Sequence, residues 1–311
     1  MEQTVGKILK GVGGLYTVRL LTETDQPVGT EISCRARGSF RHENITPLPG
    51  DTVLLTRSED GSRDFVIDAL SDRRNALIRP PMANLDYLFI TMAAASPIPV
   101  LTTQDKLIAI AEYNKIEPIV VITKKELNPA YAEELLATYR KAGFTCFALS
   151  AITGEGVDAL SNWMEEHLPR HIAAFAGASG IGKSTLLNAI FPHLELTTSE
   201  ISRKIERGRH TTRRVELFPL SEDADCGYIA DTPGFSMLDF ERFDFFDCEA
   251  LPETMREFLP YIGSCKYTKC SHTKEEGCAI LRAVREGEIP KTRHESYLEL
   301  HGVLKNKKKW K

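Results

Sequence analysis

The segment from residue 177 to residue 184 constrains the fold more than any other part of the chain. It reads Gly-Ala-Ser-Gly-Ile-Gly-Lys-Ser, which matches the pattern G-x-x-x-x-G-K-[ST] of a phosphate-binding loop. The apolar run Ile172–Ala176 precedes it, and the helical pattern Ser184–Ile190 follows it. A strand, a glycine-rich turn and a helix in this order predict an α/β domain with a nucleotide triphosphate site.

The residue types in this loop account for the chemistry expected of it. Glycines let backbone N–H groups turn towards phosphate oxygens, Lys183 can place its ammonium on the outer phosphates, and Ser184 can offer its hydroxyl to Mg²⁺. The expected nucleotide-binding residues of the loop are Gly177, Ala178, Ser179, Gly180, Ile181, Gly182, Lys183, Ser184 and Thr185.

A second candidate for the phosphate site lies downstream, where Asp231-Thr232-Pro233-Gly234 follows the apolar run 227–230. An Asp at the end of a strand beside a phosphate loop can hold the Mg²⁺ shell, and Gly234 can present its N–H to the γ-phosphate. Taken alone, these four residues would predict only a turn. Because a phosphate loop lies upstream, we favour the nucleotide site.

Two further motifs stand at the ends of predicted strands before the phosphate loop. They resemble the guanine-reading motifs N-K-x-D and S-A of GTPases, which ordinarily follow the phosphate loop in sequence. The reversed order predicts a circularly permuted GTPase domain. The alternative for the first motif is a charged strand-to-helix loop. The candidate base-reading residues are Thr123, Lys124, Lys125, Glu126, Ser150 and Ala151.

Residues 1–70 predict an OB-like β-barrel, since five short strands alternate with turns and no convincing helix interrupts them. Another small barrel would give the same pattern. The predicted strands are Thr4–Leu9, Leu15–Leu20, Glu31–Ala36, Asp51–Leu55 and Phe65–Leu70.

After a polar linker at residues 71–84, strands and helices alternate across residues 85–244, which is typical of βαβ units around a parallel sheet. The predicted strands are Tyr87–Ala93, Ile119–Thr123, Cys146–Leu149 and Ile172–Ala176. The predicted helices are Thr103–Asn114, Pro129–Ala142, Val157–His167 and Ser184–Ile190.

Residues 245–311 are rich in cysteine and end in a charged helical segment. Three of the seven cysteines fall close to a histidine, and in a chain without an export signal this clustering predicts a metal site rather than disulfides. Three thiolates and one imidazole fit a closed tetrahedral site with one structural Zn²⁺ per chain. A chance cluster of buried cysteines is the alternative. The candidate ligands are Cys265, Cys270, His272 and Cys278.

The charge distribution bears on possible partners. Lys and Arg number 39 against 43 Asp and Glu, giving a net charge of −4, which excludes a uniformly basic nucleic-acid-binding protein. Basic residues nevertheless crowd residues 203–214 and 305–311, and such patches fit a phosphate backbone. A solvated face and a frayed tail would explain either cluster alone. No apolar run approaches the ~18 residues of a membrane span, so we expect a cytoplasmic protein without membrane contact.

Together these features resemble the ribosome small-subunit-dependent GTPase A family of bacterial GTPases. The resemblance covers nearly the whole chain and is carried by the barrel, the permuted motif order, Gly208–Thr212, Asp231–Phe235 and Cys265-x₄-Cys270-x-His272-x₅-Cys278. It implies an α/β fold: a circularly permuted P-loop GTPase domain with an N-terminal OB-like β-barrel and a C-terminal zinc-binding helical domain.

The resemblance also implies a function. It predicts hydrolysis of GTP to GDP and phosphate, activation by the small ribosomal subunit, binding of its rRNA and assistance in its late maturation. We expect a monomer. Two rivals stay open: a P-loop enzyme with another phosphoryl acceptor, such as a kinase, and a nucleotide-gated RNA-binding protein with little intrinsic hydrolysis. No acceptor-site motif supports the kinase.

The chain departs from the family pattern at Glu126, where the family has Asp. That Asp accepts hydrogen bonds from guanine N1–H and the 2-amino group. Glu126 keeps the carboxylate and adds a methylene group. Because adenine would present the N1 lone pair to this carboxylate, we still expect guanine to be preferred.

Phe235 occupies the position after D-x-x-G, where many GTPases carry a Gln that orients the attacking water. Phe235 cannot do this. His210, in the basic segment, is the candidate catalytic residue because an imidazole can position water, although an RNA-contacting or surface role fits equally well. The candidate Mg²⁺ ligands are Ser184, Thr211, Thr212 and Asp231.

Overall fold

The computed structural model describes residues 4–58, 64–191, 215–223, 225–231 and 247–306. The chain forms two compact units, each assembled from three separate stretches of sequence. The first comprises residues 1–87, 162–175 and 197–235, and the second comprises residues 88–161, 176–196 and 236–311. Among the described residues, no helix combines the length and hydropathy that a bilayer span requires.

The first unit contains a closed barrel with the strand order β1–β2–β3–β5–β4. The β3–β5 pair is parallel, with Arg35 opposite Val66, and the other pairs are antiparallel. The prediction of a five-stranded OB-like barrel is therefore confirmed. The strands are β1 (Thr4–Val12), β2 (Leu15–Leu20), β3 (Glu31–Ala36), β4 (Thr52–Arg57) and β5 (Phe65–Leu70).

Alternating residues of these strands fill the barrel interior, since successive side chains of a strand point to opposite faces. Ile8, Val18, Val53 and Ile67 are fully buried there. A four-residue helix, α1 (Ser39–His42), was not predicted. It forms where Phe40 turns inward to join the same apolar core.

Residues 71–84, predicted as a linker, are held to the barrel. They include the short antiparallel strands β6 (Ala76–Leu77) and β7 (Met82–Ala83). Arg73 donates from Nε and Nη2 to the two carboxylate oxygens of Asp51, each at 2.7 Å. Asp51 is fully buried, and a buried carboxylate needs such a partner.

The first unit also contains three strands in the order β11–β13–β12: β11 (Ile172–Ala176), β12 (Glu216–Pro219) and β13 (Tyr228–Asp231). β11 and β13 are parallel, and β12 runs antiparallel to β13. Basic residues of the barrel contact this part of the unit. Lys10 Nζ lies 2.7 Å from Glu216 Oε1, and Arg19 donates to the carbonyl oxygens of Ser221 and Glu222.

The second unit contains three strands in the order β10–β9–β8, and β9 and β10 are parallel. The core positions of β8 and β9 are buried on both faces, as expected for covered parallel strands. The strands are β8 (Tyr87–Ala93), β9 (Glu117–Thr123) and β10 (Thr145–Ala148). The helices that follow these strands and β11 are α2 (Leu101–Tyr113), α3 (Pro129–Lys141), α4 (Val157–His167) and α5 (Lys183–Ile190).

The C-terminal module of the second unit, residues 247–306, consists of two 3₁₀ helices, Cys248–Thr254 and Arg256–Tyr261, followed by α6 (Ala279–Arg285) and α7 (Lys291–Asn306). A buried charge cluster attaches the module to α2. Arg293 on α7 pairs with Asp105 on α2 and, through Nε at 2.7 Å, with Glu257 Oε1.

Candidate nucleotide site and metal centre

The phosphate loop, residues 177–183, follows β11 and leads into α5, in agreement with the predicted strand–loop–helix order. Gly177 has a φ angle of +146°. A Cβ atom at this position would lie 2.4 Å from the carbonyl oxygen of Thr91. No other residue type fits here without moving the neighbouring strand, so the glycine is required by the close approach as well as by the backbone angle.

Lys183, the first residue of α5, folds its side chain back over the phosphate loop. Its Nζ donates to the carbonyl oxygens of Gly177 at 2.6 Å and Ala178 at 2.8 Å. Burial lowers the pKa of Lys183 to about 8, because the charged form loses hydration. The ammonium is thus placed at the mouth of the loop, where an anionic phosphate would favour the charged form.

The base loop, residues 123–127, begins where β9 ends. The Oγ1 atom of Thr123 donates to the carbonyl oxygen of Ile181 at 2.6 Å, and the side chain is buried. Lys124, in the left-handed conformation with φ +57°, donates from Nζ to the carbonyl oxygens of Gly180 at 2.8 Å and Ser96 at 2.6 Å. The first two base-loop residues therefore bind the phosphate loop directly.

Glu126 contributes a carboxylate to this site. Within the described part of the chain, its Oε2 atom is buried and has no hydrogen-bond partner. Leaving a buried acceptor unpaired is unfavourable, so this atom needs a donor from outside the described chain. An N–H group of a bound base is such a donor.

The Ser150 loop, residues 149–156, follows β10 and carries the second base-reading candidate. Ser150 is fully buried, and its Oγ accepts from the N–H of Thr153 at 3.1 Å. Its own N–H donates to the carbonyl of Glu155 at 2.8 Å. Ala151 is partly exposed at the same turn. Parallel strands β9 and β10 bring both base motifs to one sheet edge.

Several predicted residues cannot be placed. His210, Thr211, Thr212, Gly234 and Phe235 lie outside the described residues. Asp231 ends β13, in keeping with the predicted strand end, but only its backbone is described. The nucleotide, magnesium and catalytic assignments for these positions therefore stay predictions.

The candidate metal centre brings together all four predicted ligands. The ligand atoms of Cys265, Cys270, His272 and Cys278 lie within 4.8 Å of one another. Cys265 Sγ is 3.8 Å from Cys278 Sγ, and these two sulfur atoms are 3.6 and 3.5 Å from His272 Nδ1.

These distances fit a tetrahedral metal. Bond lengths of about 2.3 Å for zinc–sulfur and about 2.0 Å for zinc–nitrogen give tetrahedron edges of roughly 3.8 Å between sulfurs and roughly 3.5 Å between sulfur and nitrogen. Cys265, His272 and Cys278 therefore already have the spacing that a Cys₃His site needs, and Cys270 lies within 4.8 Å of all three. The sequence prediction of a structural metal site is supported.

Groups around the centre hold the ligands in place. The N–H of Ala279 donates to Cys265 Sγ at 3.3 Å, and the N–H of Leu281 donates to Cys278 Sγ at 3.5 Å. Hydrogen bonds donated to sulfur favour the charged thiolate form of a cysteine. His294 Nε2 lies 2.9 Å from the carbonyl oxygen of His272, which steadies the left-handed His272 backbone with its φ of +55°.

Glu275 closes the metal-binding loop from within. It accepts hydrogen bonds from the N–H groups of Ser271 and Thr273, each at 3.0 Å. Burial acts to raise its pKa, but the hydrogen bonds from Ser271 and from backbone N–H groups outweigh burial and lower the pKa to about 2. Sequence reasoning missed Glu275, although an acidic residue between two ligands of a short metal-binding loop was an available signal.

The phosphate loop, the base loop fastened to it, and the order of these motifs along the chain define a circularly permuted GTPase. A family model for the RsgA GTPase matches residues 70–241, and one for the RsgA N-terminal domain matches residues 5–62. The chain belongs to the RsgA GTPase family.

Relatives match over nearly their full length. The small ribosomal subunit biogenesis GTPase RsgA of Caldanaerobacter subterraneus subsp. tengcongensis is 40% identical, covering 99% of this chain and 98% of the relative. The protein of the same name from Bacillus pumilus is 38% identical, covering 97% and 98%.

Solved structures agree with the fold. YjeQ from Thermotoga maritima superimposes with a TM-score of 0.80 at 30% identity, covering 98% of this chain and 99% of that one. YloQ, described as a circularly permuted GTPase, gives a TM-score of 0.76 at 31% identity, covering 100% and 98%. The predicted fold class is confirmed.

Proposed function

We propose that this chain hydrolyses GTP to GDP and phosphate in the course of small ribosomal subunit maturation. The relatives that match its full length are named small ribosomal subunit biogenesis GTPases. The observation that carries the nucleotide part is the direct attachment of the base loop to the phosphate loop by Thr123 and Lys124. Such an attachment holds the base-reading residues at a fixed distance from the phosphate loop, as binding one nucleotide at both its base and its phosphates requires.

Glu126 reads the base in this proposal. Its carboxylate accepts from guanine N1–H and from the 2-amino group, and the buried, unpartnered Oε2 atom supports this role. Adenine would turn a lone pair towards the same carboxylate, leaving two acceptors opposed. Ser150 and Ala151 lie on the neighbouring loop and complete the base site.

Lys183 and Ser184 act on the phosphates. The two carbonyl oxygens that Lys183 now contacts hold its ammonium over the loop, so little reorganisation is needed when a phosphate takes their place. Mg²⁺ when bound neutralises charge on the outer phosphates. Its proposed ligands are Ser184, Thr211, Thr212 and Asp231, and Gly234 would donate to the γ-phosphate.

Hydrolysis needs a group that orients water, and Phe235 cannot supply it. We assign this task to His210 in the basic segment. Since that segment must close over the phosphates before the imidazole can act, the free protein is expected to turn over slowly. Binding to the small subunit would order the segment and accelerate the reaction.

The metal centre is assigned to one Zn²⁺ with a structural role, because four protein ligands leave no open position for chemistry. Lys266, Lys269 and Lys274 are exposed around it, and further lysines occupy positions 305–311. Exposed lysines on a compact module suit the phosphate backbone of structured rRNA. The protein would act as a monomer in the cytoplasm.

Multiple-turnover hydrolysis of GTP, measured with and without purified small subunits, tests the proposal. We expect slow release of phosphate alone and strong acceleration by small subunits. Lys183→Ala should abolish both rates in a folded protein, and His210→Ala should lower the stimulated rate beyond any loss of GTP or subunit affinity. Tight GTP binding with negligible hydrolysis even on subunits would favour the nucleotide-gated RNA-binding protein instead.

A further inference from the structure

Lys125 belongs to the base loop, but its ammonium group turns to two carboxylates outside that loop. Its Nζ atom lies 2.9 Å from Glu155 Oε1 and 3.3 Å from Glu133 Oε1. Glu155 belongs to the Ser150 loop, and Glu133 belongs to α3. Hydrogen bonds from Lys125 to Glu155 and then to Glu133 raise the pKa of Lys125.

Backbone contacts fix both ends of the Lys125–Glu155 pair. The N–H of Lys125 donates to the carbonyl of Leu149 at 3.2 Å, so its Cα cannot drift from the Ser150 loop. On the other side, Gly156 has a φ angle of +76°, and a Cβ there would lie 2.6 Å from the carbonyl oxygen of Ala148. The turn that presents Glu155 is therefore tightly constrained.

We propose that Lys125 is a positioning residue for guanine binding, which acts by tying the Ser150 loop to the base loop through Glu155. The pair holds Ser150 and Glu126 at a fixed separation before the base arrives. This inference rests on the proposed GTP-binding function and adds to it a residue that works through others.

The expected consequence is kinetic. A site held together in advance loses less conformational freedom on binding, and an ordered loop opens less often to release the base. Phosphate contacts through Lys183 do not depend on this pair. Losing Lys125 should therefore speed nucleotide release and raise KM for GTP.

The test is stopped-flow dissociation of a fluorescent N-methylanthraniloyl GDP from the full-length protein. Lys125→Met should release it about three- to tenfold faster, the range for two partly exposed ion pairs. Lys125→Arg should restore most of the wild-type rate. Glu155→Gln should reproduce the Lys125→Met rate, and Glu133→Gln should have a smaller effect because α3 does not read the base.

The matched control is Lys291→Met, which breaks an exposed pair with Glu295 on α7, 3.4 Å long, and should keep the wild-type rate. A Lys125→Met protein that releases the nucleotide at the wild-type rate, or equal effects of Glu133→Gln and Glu155→Gln, would overturn the inference. If Lys125→Met does not fold, Glu155→Gln decides alone. A wild type that fails to bind the probe would instead refute the proposed function.

Discussion

The barrel and the C-terminal module are both attached within their own units by an arginine, but the surroundings differ. In the barrel, Arg19 is buried and donates to two backbone carbonyls, and the accompanying Lys10–Glu216 pair is 43% and 39% exposed. Where the C-terminal module is attached to α2, the side chains of Arg293, Asp105 and Glu257 are all at most 2% exposed.

This difference in exposure indicates which of the two attachments is easier to break. Separating α2 from the C-terminal module would leave the buried charges of Arg293, Asp105 and Glu257 without partners, which is energetically costly. We therefore expect α2 and the module to stay together. Lys10 and Glu216 are both exposed enough to replace their mutual contact by contacts with water, at a small cost in free energy. The barrel contact is therefore the more adjustable of the two attachments.

The largest expected effect on stability comes from removing a ligand of the metal centre in the C-terminal module. Cys270→Ser should lose the metal and unfold the loop around residues 265–278, because structural zinc contributes on the order of 10 kcal/mol in small zinc peptides. Elemental analysis should find about one zinc per wild-type chain and none in the variant. Hydrogen exchange should speed up in α6 and leave the barrel strands unchanged.

The control for the metal is Cys248→Ser, which replaces a cysteine outside the four-ligand cluster. It should keep full zinc. Wild-type protein purified without zinc, or a Cys270→Ser variant that retains it, would contradict the four-ligand assignment.

The second effect tests the buried attachment. Arg293→Met should lower the free energy of unfolding by about 3–5 kcal/mol, because Asp105 and Glu257 are left buried without their cation. Urea unfolding monitored by far-UV circular dichroism measures this change. A loss below about 1 kcal/mol would show that the cluster does not secure the module.

The third effect tests the corresponding barrel residue. Arg19→Met should cost about 1–3 kcal/mol, since its partners Ser221 and Glu222 lose donors to their carbonyl oxygens but carry no buried charge. The same urea titration measures it. A cost equal to or larger than that of Arg293→Met would remove the contrast between the two attachments.

The smallest effect tests the adjustable contact. Lys10→Met should change the free energy of unfolding by less than about 1 kcal/mol, because both partners in the pair are half exposed and screened. Raising the salt concentration should shrink even that difference. A larger or salt-independent loss would mean that the Lys10–Glu216 pair is a rigid element.

Much of the fold was predictable because it depends on local patterns. The apolar period of β1–β5, the glycine spacing of the phosphate loop and the Cys/His spacing each lie within short segments of sequence. The motif alone predicts that residues 123–126 belong to a base loop. The sequence predicts that α2 begins at Thr103, whereas the helix begins two residues earlier, at Leu101. The earlier start could not be seen because Val100, at the N-cap, has no side chain that caps a helix.

What could not be predicted depends on contacts between distant residues. Arg293 and Asp105 are 188 positions apart, and neither differs in type from a surface charge. α1, which carries the buried Phe40, and β12 have four residues each. Both are too short to give a periodic pattern in the sequence. Likewise, sequence placed Lys125 at the nucleotide site, whereas its ion pairs with Glu133 and Glu155 could be seen only in three dimensions.

The central claim is that one site, formed by the base loop and the phosphate loop, selects guanine nucleotides. Isothermal titration calorimetry of GDP and ADP with wild-type protein, Glu126→Gln and Lys183→Ala tests it most directly. We expect wild type to bind GDP at least about 100-fold more tightly than ADP, the size of penalty that unpaired polar groups impose. Glu126→Gln should lose most of this preference, and Lys183→Ala should weaken both nucleotides. Equal wild-type affinity for GDP and ADP, or an unchanged preference in Glu126→Gln, would contradict the account.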